Sequence, residues 1–168
     1  MKLLRIIILL ACLLPFNIFG QETLSSLDAN WLKLTRPIML RSETINSLIK
    51  QLYKHKEIPV KQLNTLASLS NNIYINAKIN AERDSTTISL LNDQNNKLMI
   101  ALSKIYVFLD SSDKVAKNEK ILEMRYRIEA NENRIYFAKR EYNEACKDLK
   151  RMDLKFGDLS DQPPEIKF

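Results

Sequence analysis

The chain has 168 residues, 45% of them apolar and 27% charged, with a formal charge of +6. That size and balance fit one folded domain and exclude global disorder. Glycine occurs only as Gly20 and Gly157, and Pro37 and Pro59 are the sole prolines between them. Tight-turned sheets and glycine-rich phosphate loops are therefore excluded, and long helices with simple connections remain.

The first twenty residues form a separate segment. Met1 to Arg5 is basic, Ile6 to Leu14 is apolar, Pro15 interrupts the run, and Gly20 ends it. This is the pattern of a secretory signal cut after Gly20. A retained membrane anchor is the second reading, weakened by Pro15, Asn17 and a run shorter than the ~20 residues that span a bilayer. Lipidation at Cys12 is the third, and the apolar sequence continuing past the cysteine argues against it. All three place the remainder outside the cytoplasm, in the periplasm or on the outer face of the membrane. The expected division is 1–20 signal or anchor, 21–157 helical body and 158–168 tail.

The first body helix is expected from about Ser26 to Lys54. Leu27, Trp31, Leu34, Ile38, Arg41, Ile45, Leu48 and Leu52 alternate in steps of three and four, which places them on one face. Pro37 predicts a kink or a fresh start there. A second helix starts near Pro59, lined by Val60, Leu63, Leu66, Ile73 and Ala77. Its end is set by a break near residues 84–87, where Asp84-Ser85-Thr86-Thr87 offers a cap. Without that break, helices two and three would merge into one rod.

The third stripe is Ile88, Leu91, Asn95, Leu98, Leu102, Ile105 and Leu109. A short polar link, Asp110 to Asp113, makes the last helix its antiparallel neighbour. That helix carries Ile121, Met124, Ile128, Asn131, Ile135, Ala138, Tyr142, Ala145, Leu149 and Met152 on one stripe, with Asn118 as N-cap and Gly157 as its stop. The fold class that follows is all-α, an antiparallel up-and-down four-helix bundle with coiled-coil-like stripes. The tail, with Pro163-Pro164, cannot be helical throughout.

The usual reactive groups are scarce. His55 is the single histidine, flanked by Lys54 and Lys56, and the cysteines are Cys12 and Cys146. No Glu-x-x-His pair, zinc set or nucleophile with a base at useful spacing exists. No catalytic residue, metal or cofactor is expected, and no enzymatic activity. Acids and bases alternate, so a nucleic-acid partner is not expected either. Cys146 is read as a small core residue, with a disulfide-linked dimer as the alternative.

Four segments carry a family resemblance: Ala101 to Asp110, Asn118 to Met124, Glu132-Asn133-Arg134-Ile135, and Ala138-Lys139-Arg140-Glu141-Tyr142-Asn143. In that order they resemble the LemA family, which has an apolar segment ending in an acid, an Asn-x-x-apolar-Leu helix start, a Glu-Asn-Arg-Ile element and an Ala-Arg-x-x-Tyr-Asn element. The match is best over residues 97–150 and looser at Leu52 to Leu63. Ser112-Asp113 stands where the family has Tyr-Pro, Lys139 replaces the family arginine, and the tail lacks a Phe-Pro element. The resemblance implies a divergent, shortened member: an exported or membrane-anchored helical bundle without established catalytic residues.

On the residues themselves, Asn131, Glu132, Asn133, Arg134, Tyr142 and Asn143 are expected to form a polar clasp between helices, fixing register more than adding stability. The function expected is a non-enzymatic cell-envelope scaffold that docks onto another envelope protein or onto itself, with membrane association through residues 1–20. The alternative is a binding module for lipid or another apolar ligand in the bundle core. It is suggested by Asn95, Asn131, Tyr106, Phe108, Tyr136 and Phe137.

Overall fold

The structure is a computed structural model that describes residues 2–79 and 84–157, with side chains described from Ser26 onward, those of Ile79 and Lys114 excepted. The expected signal or anchor at 1–20 and the tail at 158–168 thus lie outside the described side chains. Five α-helices follow in order: α1 Lys2–Leu52, α2 Val60–Ile79, α3 Ser85–Asp110, the single turn α4 Asp113–Ala116, and α5 Glu119–Asp148; a 3₁₀ turn at Met152–Leu154 follows. The four long helices pack antiparallel, with α1 lying between α5 and α2, and α2 between α1 and α3.

The stripes are the core, except at two ends: Val60 and Met152, expected on them, are 59% and 56% exposed. Leu34, Ile45, Leu48, Leu52, Leu63, Leu66, Ile73, Leu98, Ile105, Leu109 and Ile128 are fully buried. Each such side chain contributes roughly 1.5–3 kcal/mol by leaving water. Small residues let α1 and α2 approach closely: the Ser70 hydroxyl donates to the Ser42 carbonyl at 3.1 Å, and both serines are buried.

The helix ends follow from local chemistry. Pro59 opens α2, its carbonyl accepting from the amides of Gln62 and Leu63. Asp84 caps α3, accepting from the Thr87 amide at 2.6 Å, so α2 and α3 are separate elements. Those backbone donors hold the Asp84 carboxyl below its ordinary range. Asn118 caps α5 through the amides of Lys120 and Ile121.

Three local expectations are corrected. Of the kink or fresh start expected at Pro37, the fresh start is excluded, since α1 runs through the buried proline as one helix. The link after Asp110 contains the extra turn α4. The last helix stops at Asp148, not near Gly157. Its stop is a Schellman arrangement in which Lys150 takes the left-handed φ of 56° usually given to glycine. The Lys150 amide donates to Lys147 and the Arg151 amide to Cys146, satisfying the terminal carbonyls. Apolar periodicity continues to Met152, so it masked this stop.

Candidate functional site

α3 and α5 are joined by a short link, yet among the described residues no Cα atoms of the two come within 8 Å of each other. Long polar side chains cross the gap instead. α5 supplies three buried charged residues, Arg125, Glu132 and Lys139, seven residues apart. A seven-residue repeat returns to the same helix face, so the three form one charged row toward α3.

The centre of the row is an ion pair. Arg41 of α1 has no exposed surface, and Glu132 is only 3% exposed. Arg41 Nη1 donates to Glu132 and to Asn95 Oδ1 of α3, the latter at 2.7 Å. One guanidinium thereby ties α1, α3 and α5 together. Among the described residues its Nε and Nη2 groups are buried without a hydrogen-bond partner, an uncompensated desolvation cost. Such a pair adds little net stability compared with apolar packing, but losing one partner strands the other charge in the core.

One step toward the N-terminal end of α3, Lys139 Nζ donates to Asn92 Oδ1 at 3.1 Å and sits 5.1 Å from the centre of the Phe156 ring. Burial, reinforced by the nearby Arg41 cation and opposed by Glu132, pulls the Lys139 ammonium down to about 8. At the other end of the row, Arg125 Nη1 donates to Asp110 Oδ1 at 2.8 Å and its guanidinium lies 4.8 Å from the Tyr106 ring centre. Burial pushes the Tyr106 hydroxyl well above its ordinary range.

Below Lys139, Asn143 clamps the strap after α5. Its Nδ2 donates to the Phe156 carbonyl at 3.1 Å and its Oδ1 accepts from the Phe156 amide at 2.9 Å. Phe156 completes an aromatic cluster with Trp31 and Tyr142, at ring distances of 6.5 and 5.7 Å. Offset aromatic contacts of this kind add roughly 0.5–1.5 kcal/mol each beyond burial.

Of the residues expected in the clasp, Asn131, Glu132, Tyr142 and Asn143 are buried, whereas Asn133 and Arg134 are exposed. Glu132 bonds across helices, Asn143 holds the strap, and Arg134 reaches Asn131 one turn away on its own helix, at 3.4 Å. The sequence reading missed Arg41, Lys139, Arg125 and Phe156. The signal for the centre was present: each of three apolar stripes is interrupted by a polar residue, Arg41, Asn95 and Asn131, the last beside Glu132.

The cluster is internal and its hydrogen bonds run between helices. Asn95, one support for an apolar-ligand site, accepts from Arg41. Tyr106 and Tyr136 are buried, while Phe137 is exposed. His55 follows α1 with its Nδ1 3.6 Å from Glu57. Cys146 is a buried residue of the core. Among the described residues no group of His, Cys, Asp and Glu is placed to hold a metal ion, and no helix is long and apolar enough to cross a membrane.

No curated protein and no solved structure matches the chain at a significant level. The model of the LemA family matches residues 30–157, which takes in Arg41, Asn95, Glu132, Lys139 and Phe156. That match covers most of the sequence, and the chain belongs to the LemA family.

Proposed function

We propose that this LemA-family domain is a non-enzymatic helical scaffold of the cell envelope, exported through residues 1–20 and acting by protein–protein contact. One observation carries the reading: four polar residues within the family-matched span, Arg41, Asn95, Glu132 and Asn143, are spent on bonds inside the bundle. Arg41 donates to both Asn95 and Glu132, joining three helices, and Asn143 bonds to backbone. Such a network fixes the register of a stiff rod and leaves its outer faces for partners. The basic, apolar start of the chain supports export.

The test is photo-crosslinking of the full chain in cells, with the crosslinker placed on outer helix positions and products identified by mass spectrometry. The expected result is a reproducible envelope partner or a second copy of the chain. A chain that crosslinks to nothing from any outer face overturns the reading. N-terminal sequencing with membrane fractionation tests the export half: a cytoplasmic, uncleaved chain contradicts it.

A further inference from the structure

Two open grooves flank the bundle, and their rims differ in charge. One, about 460 Å³, lies between α2 and α3 and is rimmed by Lys61, Lys97 and Lys104 over Leu69, Ile100 and Ala101. The other, about 660 Å³, lies between α1 and α5 and is rimmed by Glu141, Glu144 and Asp148, with Arg140, over Phe137 and Ala145. Since the helices pack in the order α5, α1, α2, α3, these seams lie on opposite sides of the rod.

The two rims also match in register. On α3, Val107, Lys104, Ile100 and Lys97 run along the outer face, with Val107 and Ile100 being 69% and 58% exposed. On α5, Phe137, Glu141, Ala145 and Asp148 run along the rim, and Phe137 is 54% exposed. Laid antiparallel, these helices put Phe137 on Val107, Glu141 on Lys104, Ala145 on Ile100 and Asp148 on Lys97. Lys97 to Lys104 and Glu141 to Asp148 are the same seven residues apart, about 10 Å of helix. A parallel alignment of the same charges puts Phe137 against Asp93 instead. Single exposed apolar residues need no explanation, but here they recur between opposite charges, the pattern that selects partner and orientation between helices.

We infer that a second copy of this chain docks front to back, the acidic α5 rim of one copy lying antiparallel on the lysine-rimmed α2–α3 groove of the next. This rests on the scaffold reading above and names its partner. Because the two surfaces face opposite ways, one pair cannot satisfy both; the contact propagates into a row or closes into a ring. The existing surface pairs Lys33–Glu141, Lys147–Glu144 and Lys97–Asp93 are exposed and weak, so their exchange costs little.

The test uses the full chain expressed in cells as two differently tagged copies, one with Val107→Cys and the other with Phe137→Cys. Wild-type copies, with their own Cys12 and Cys146, set the background. Oxidation is expected to link the two tags. Adding Lys104→Glu to the first copy alone, or Glu141→Lys to the second alone, lowers the linked fraction about fivefold. Combining the two reversals across the contact restores it. The inference is overturned by no link above background, by a link indifferent to the reversals, or by same-site pairs linking equally well. If it is overturned while photo-crosslinking still recovers another protein, the scaffold reading stands without the self-contact; if that also fails, both fall.

Discussion

The seam between α1 and α2 and the gap between α3 and α5 solve the same problem in opposite ways. In the first, serines at 42 and 70 let backbones approach, and Leu48 and Leu52 of α1 and Leu63 and Leu66 of α2 are fully buried. In the second, the backbones stay apart and a row of buried charges spans the distance. Apolar packing is forgiving about which leucine meets which, since volume and pattern suffice. A buried guanidinium facing one carboxylate is not forgiving, because a shifted register leaves a charge unpaired. Stability therefore resides in the tight seam and register in the wide one.

Glu132→Gln strikes the wide gap at its centre. It strands the fully buried Arg41, and chemical denaturation should show a loss of about 3–5 kcal/mol. Leu48→Ala, in the tight seam, should cost about 3 kcal/mol by the same measurement. The two losses differ in kind. A second apolar change can relieve the first, whereas the cavity at position 48 remains.

Lys139 sharpens the contrast through pH. Its folded-state value near 8 lies below the ordinary lysine value of 10.5, so the unfolded chain binds more protons between those values. Stability should therefore rise as pH goes from 8 toward 10, and the penalty is present in full below pH 8. Lys139→Met should raise stability at pH 7 by about 1–2 kcal/mol and flatten the slope between pH 7 and 9.5. Tyr106, shifted upward by burial, acts in the opposite sense only above about pH 10 and stays outside that window. Equal slopes in the two proteins would remove Lys139 from the account. The smallest expected effect is at the stop of α5, away from both seams. Lys150→Gly should gain about 1 kcal/mol by relieving the left-handed φ, readable as a small rise in Tm.

The tight seams were legible in the sequence because their code is simple periodicity. Leu27 through Leu52 and Ile88 through Leu109 stand in the core as their spacing requires. Caps written in side-chain chemistry, Asp84 and Asn118, were legible for the same reason. The wide gap was not. Nothing in the sequence marks Arg125 and Lys139 as buried, because heptad spacing of charges alone does not say that a third helix stands off and swallows them. Arg41 was visible as an oddity in an apolar stripe, but its partners on two other helices depend on how the stripes are aligned. Lys150 was hidden because a left-handed residue other than glycine leaves no mark in composition. Phe156 joins the core with its backbone held by Asn143 and its ring packed on Trp31 and Tyr142, contacts that no spacing in the sequence announces.

The most direct test of the central claim is a double-mutant cycle on Arg41→Met and Glu132→Leu, followed by urea unfolding of each protein. The account predicts that each single change costs about 3 kcal/mol or more while the double variant lies within about 1 kcal/mol of the parent. Additive losses in the double variant, or a parent stabilised by either single change, would contradict the claim that this pair holds three helices in register.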